Sequence, residues 1–158
     1  MKRPLKINSI ILLFFLFILT SCGYEKLNVM NSEKYKIVSF KSSGNQRAAY
    51  IIKSEVKLHS KKSSNNAVSM VLKVEKDKEI KEKNISNKVS KYSITLRVQL
   101  SVIEENAKKN DYSFSKSSDL LVTDSPSETN EEEKKIVEVL AETIANKITQ
   151  TLNIKYRE

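Results

Sequence analysis

The chain has 158 residues, enough for one domain with a modest core and too few for two ordinary ones. It carries 28 Lys+Arg against 19 Asp+Glu, a formal +9, with one cysteine, one histidine and two glycines. That inventory excludes an intramolecular disulfide, a histidine-built metal site or triad, and a glycine-rich phosphate loop, since Gly23 and Gly44 stand alone.

The first element is a leader. Lys2, Arg3 and Lys6 precede an unbroken apolar run, Ile10 to Leu19, which is too short to span a bilayer and has the layout of a secretory signal peptide. Leu19-Thr20-Ser21-Cys22 resembles the bacterial lipobox, in which small residues let a peptidase cut beside a cysteine carrying diacylglycerol. The expectation is a signal peptide over 1–21, a lipidated tether over 22–33 and one α+β periplasmic domain over 34–155. The expected covalent groups are a diacylglycerol and an N-acyl chain on Cys22, and no other cofactor or metal. Cleavage removes three of the 28 basic residues and none of the 19 acidic ones, lowering the formal charge from +9 to +6. Gly23, where an aspartate would mark inner-membrane retention, points to the outer membrane. No basic block is interleaved with aromatics, so nucleic acid is not an expected partner.

Tyr35 to Phe40 reads as a first strand, bounded by Ser42-Ser43-Gly44-Asn45. From Gln46 to about Lys61, Ala48, Ile51, Ile52 and Val56 fall at helical spacing. A second strand places Val68, Met70, Leu72 and Val74 on one face. The mixed charges of Lys76 to Lys83 follow as arms of a hairpin with its tip near Asn84 to Asn87. In the third strand Tyr92, Ile94, Leu96, Val98, Leu100 and Val102 are in phase, with Ser93, Thr95, Arg97, Gln99 and Ser101 on a wet face. Asn106 to Asp111 supplies a turn, and Tyr112 begins a fourth strand running toward Val122. Ser125, Pro126 and Glu128 open a second helix, whose stripe runs from Val137 through Leu140, Ile144 and Ile148 to Leu152.

This order predicts a two-layer α+β sandwich, β-α-β-β-β-α, with two helices packed on one face of a four-stranded, mostly antiparallel sheet. Catalysis is not expected: His59 reads as an exposed helix-end residue, and the acidic run 128–133 matches a helix dipole. The wet sheet face and the hairpin remain as candidate surfaces, where Lys81, Lys83, Lys88 and Lys91 are flexible point charges for phosphate oxygens.

With Cys22-Gly23-Tyr24 and Leu27, the strand Tyr92 to Val98, and Leu140-Ala141-Glu142-Thr143-Ile144 in the last helix, the chain resembles the LPS-assembly lipoprotein (LptE) family. The resemblance implies a non-enzymatic outer-membrane lipoprotein, lipid-anchored on the periplasmic side. Such a protein sits as plug and assembly partner inside a large β-barrel lipopolysaccharide translocon and receives lipopolysaccharide. Basic residues near the strands would then meet lipid phosphates, with Lys88, Lys91 and Arg97 as candidates. The alternative is an auxiliary lipoprotein or adaptor of an envelope lipid-transport or pilus system.

Overall fold

The protein is described by a computed structural model over residues 35–61 and 63–156; the expected signal peptide, tether and lipidation site lie outside the described residues. The elements run β1 (Lys36–Gly44), α1 (Gln46–Leu58), β2 (Ala67–Lys83), β3 (Val89–Glu104), β4 (Lys109–Leu121) and α2 (Pro126–Lys155). The sheet order is β1-β2-β3-β4, with β1 parallel to β2 and the other two pairings antiparallel. This is the expected β-α-β-β-β-α sandwich with a mixed, open sheet.

Each helix begins where its cap requires. Asn45 accepts the Ala48 N–H at 3.0 Å, and Ser125 accepts the Glu128 N–H at 3.4 Å with Pro126 in the first turn. The apolar stripes of both helices close on one face of the sheet. Ile52 and Val56 from α1, Ile144, Ile148 and Leu152 from α2, and Met70, Leu72, Leu96 and Val98 from the sheet are fully buried in one core. Each such side chain contributes about 1.5–3 kcal/mol by leaving water.

The helices differ in reach. At 1.5 Å per residue, α2 (30 residues) is about 45 Å long and lies along the whole sheet, while α1 (13 residues) covers about 20 Å. α1 starts beside Val74, whose carbonyl accepts the Asn45 N–H at 2.8 Å. From that point on, β2 replaces its apolar residues with lysine. Lys76 and Lys78 lie opposite Leu96 and Ile94, so they share the helix-bearing face, yet no α1 residue is left to cover them.

Several boundaries depart from the sequence reading. β1 does not stop at Phe40: Ser42, Ser43 and Gly44 pair with Leu72, Lys73 and Val74, so these small polar residues extend the strand and do not bound it. Lys76 to Lys83 is the expected hairpin arm, and it is continuous with the preceding strand, so that β2 runs through 17 residues. α1 ends at Leu58, and His59, the expected exposed residue, is its half-buried C-cap. β4 begins at Lys109, inside the stretch read as turn. Both hairpins close in the same way, through a left-handed third loop residue, Asn87 (φ 60°) or Ala107 (φ 63°), with the N–H of Asn84 or Glu104 donating to the carbonyl of Lys88 or Lys108.

Candidate functional site

The open sheet face is built by the strand period. Residues of β3 that alternate with the core set, from Ser93 to Ser101, point away from the helices, and the registers place partners beside them. Arg97 sits opposite Glu75 on β2 and Ser115 on β4, and its guanidinium forms an ion pair with Asp77. Lys73 binds Glu75 at 2.7 Å, and that hydrogen bond, aided by the nearby charges of Lys73 and Arg97, holds the Glu75 carboxyl below its ordinary range. Asp111 is held low by hydrogen bonds from Ser101 and then Lys109. Thr95 donates to Ser117 at 3.1 Å. The face is a neutralised polar lattice in which cations lie against anions.

The three candidate lipid-phosphate residues are not gathered at one point. Lys91 and Arg97 share the open face but are six residues apart on β3, about 20 Å. Lys91 is bound to Glu82 at 2.7 Å, which raises its pKa, and its side chain is only 22% exposed. Lys88 lies in the hairpin turn, where its N–H donates to Asn84 Oδ1 at 2.9 Å. Its exposed ammonium has no ion pair among the described residues. Beside it is Ile85, a fully exposed aliphatic side chain at the tip. Lys81, from the same group, is tied to Asp119 at 2.7 Å.

Two ionic clusters fasten α2 to the sheet. Toward its start, Glu133 receives Lys76 at 2.5 Å and Lys78 at 2.6 Å, and Lys78 also stands 4.4 Å over the Tyr92 ring. Burial opposes ionisation of Glu133, but the two ammonium groups outweigh it and hold the carboxyl low. At the other end, Glu104 meets Lys155 at 2.5 Å and accepts from the Tyr156 hydroxyl and the Asn110 amide, each at 3.3 Å. The Lys155 hydrogen bond lowers the Glu104 pKa against the effect of burial. Burial would lower the Lys155 pKa, but Glu104 and Tyr156 keep it raised. Sequence reading missed both clusters. A signal existed for the first, since Lys76 and Lys78 continue the apolar phase of Val68 to Val74.

Among the described residues no group of three or more His, Cys, Asp or Glu side chains is placed to hold a metal ion, and no helix is long and apolar enough to cross a membrane. The depressions are shallow. One of about 410 Å³ lies between Leu121, Thr123, Glu128 and Ile136, and another of about 200 Å³ is lined by Asn65, Glu104 and Tyr156.

No known sequence family and no curated protein matches the chain. Solved structures do. Rare lipoprotein B from Shewanella oneidensis superposes with a TM-score of 0.58 at 12% identity, covering 74% of this chain and 95% of its own. An uncharacterized lipoprotein B from Nitrosomonas europaea gives 0.56 at 12% identity, covering 75% and 82%. A minor lipoprotein from Acinetobacter baumannii gives 0.53 at 14% identity, covering 78% and 92%. At these identities the likeness establishes a shared fold: the described domain is built as these lipoproteins are.

Proposed function

We propose that the chain is an outer-membrane lipoprotein, acylated at Cys22 and held on the periplasmic side, that serves as plug and assembly partner of a β-barrel lipopolysaccharide translocon. The observation that carries the reading is the fold shared with proteins named as lipoproteins, joined to the lipobox Leu19 to Cys22. A plug must present polar surface to a hydrated barrel interior, and the open sheet face offers hydroxyls, amides and neutralised charge pairs. The role is non-enzymatic, and it needs no cofactor beyond the acyl chains. Lys88, with its exposed ammonium, is the best placed of the three candidates for a lipid phosphate. Lys91 and Arg97 are already neutralised and would have to exchange Glu82 and Asp77 for the phosphate.

Two measurements test this. Radioactive palmitate should label the protein, and Cys22→Ser should abolish labelling and membrane fractionation. The membrane-extracted protein should co-purify with a large β-barrel; recovery of transporter or pilus subunits without a barrel would favour the adaptor reading. For the lipid, Lys88→Ala should weaken binding to purified lipopolysaccharide more than Arg97→Ala does, in a salt-dependent way. Binding unchanged in Lys88→Ala, Lys91→Ala and Arg97→Ala across salt concentrations would remove all three from the site.

A further inference from the structure

A β-sheet that is not closed has free edges, and proteins blunt them with charge, bulges, short strands or a covering element. Here the edges are treated unequally. β1 is short and its register shifts between Ile37 and Ser39. β2 is uncovered beyond Val74, but from Glu75 to Lys83 only Ile80 lacks a charge, and the register shifts twice near the tip. β4 is the least defended, with Lys116 its one charge on the helix-bearing face. Its pairing with β3 runs without a shift from Lys109 to Leu121, it contains no proline, and Lys109, Asp111, Lys116 and Asp119 are its only charges.

The outward groups of β4 can be assigned. Glu104 N–H donates to Lys108 and Val122 N–H to Ser90, so the even-numbered residues between 108 and 122 form the bonded pairs with β3. The odd-numbered residues, Ser113, Ser115 and Ser117 among them, therefore aim their N–H and C=O away from the sheet. Beside this edge, on the helix-bearing face, two adjoining depressions of about 410 and 240 Å³ share Glu132, Lys135 and Ile136 and run along α2. Val139 borders the groove 60% exposed, and Leu121 lies 63% exposed at its end. That end carries Glu128, Glu131 and Glu132 against a single lysine, Lys135, while Asp119 is already taken by Lys81.

We propose that β4 and the groove along α2 accept an extended segment of a partner protein as a fifth strand. The segment has apolar side chains at alternate positions, facing Ile136 and Val139, and a basic residue at the end beside Glu128, Glu131 and Glu132. Backbone hydrogen bonds to the odd-numbered residues give the affinity, and the groove and its acidic end give the selectivity. The inference is independent of the lipopolysaccharide reading, because a translocon plug and an adaptor would both have such a partner.

The test uses the full chain in detergent and two blocked, fluorescent peptides of alternating valine and threonine, one ending in lysine and one in glutamate. The lysine peptide is expected to bind roughly tenfold or more tightly than the glutamate peptide, a preference that Glu132→Lys should reduce. Hydrogen exchange should slow at Ser113, Ser115 and Ser117 on binding, while the even-numbered amides, already bonded to β3, change little. Ser115→Pro removes an outward donor and leaves the β3 ladder intact, so affinity should fall by about tenfold. Val139→Lys obstructs the groove without touching the strand and should also weaken binding, which guards against a folding defect in the proline variant. Failure of both peptides to bind, or binding indifferent to Ser115→Pro and Val139→Lys, would overturn the proposal. So would protection of the same amides by self-association, which would make the occupant a second copy of this chain.

Discussion

Two backbone positions decide how the strands connect. Gly44 has φ +90°, and a Cβ there would stand 2.0 Å from the Val74 carbonyl oxygen, so the β1–α1 corner admits only glycine. Gly44→Ala should cost about 3 kcal/mol or more, since backbone must move as well as strain; the urea midpoint reads it. Ala107 holds the left-handed conformation that Asn87 holds in the other hairpin, but without a side chain suited to it. Ala107→Gly should therefore raise stability by up to about 1 kcal/mol, and an unchanged or lowered midpoint would show that the turn is not strained. The two hairpins also hold a boundary that was legible and one that was not. Asparagine announces both turns, at Asn84 to Asn87 and at Asn106, but Asn110 and Asp111 are turn-forming residue types as well, and they carry the expected turn into β4, which starts at Lys109.

Helix α2 is fastened by ionic contacts as well as by its stripe, and these make the molecule sensitive to acid. The Glu104 and Glu133 pKa values are lower in the folded chain than the roughly 4.3 of an unfolded glutamate. Their stabilisation is complete above that value and is lost as pH falls through the folded pKa values. Glu104→Gln should cost about 1–2 kcal/mol at neutral pH, and the difference should shrink as pH falls through the folded pKa of Glu104; urea titrations across the acid range would show the curves converging. Lys155 works in the opposite direction, its raised pKa giving stability that fades as pH rises above about 10.4. The stripes of α1, β3 and α2 were readable because burial imposes a period. The partners of Arg97 and Lys155 were not, because Asp77 and Glu104 lie on other elements and only the register brings them together.

Across the whole molecule, the described residues form a domain with the fold found in named lipoproteins. The two ends of the described domain lie together. Tyr35, where β1 is entered, and Tyr156, just past α2, have ring centroids 5.7 Å apart at 43°. The Asn84 to Asn87 turn is at the far end of β2, about 55 Å along a strand of 17 residues. A chain whose entry and exit touch can be cut elsewhere and rejoined. Circular permutation that links Tyr156 to Tyr35 through a few glycines and serines, with new termini between Ile85 and Ser86, should fold with a native far-ultraviolet spectrum and a cooperative transition. The domain thus has the connectivity of a cassette, able to be spliced into a surface loop of a host protein with its long hairpin projecting outward.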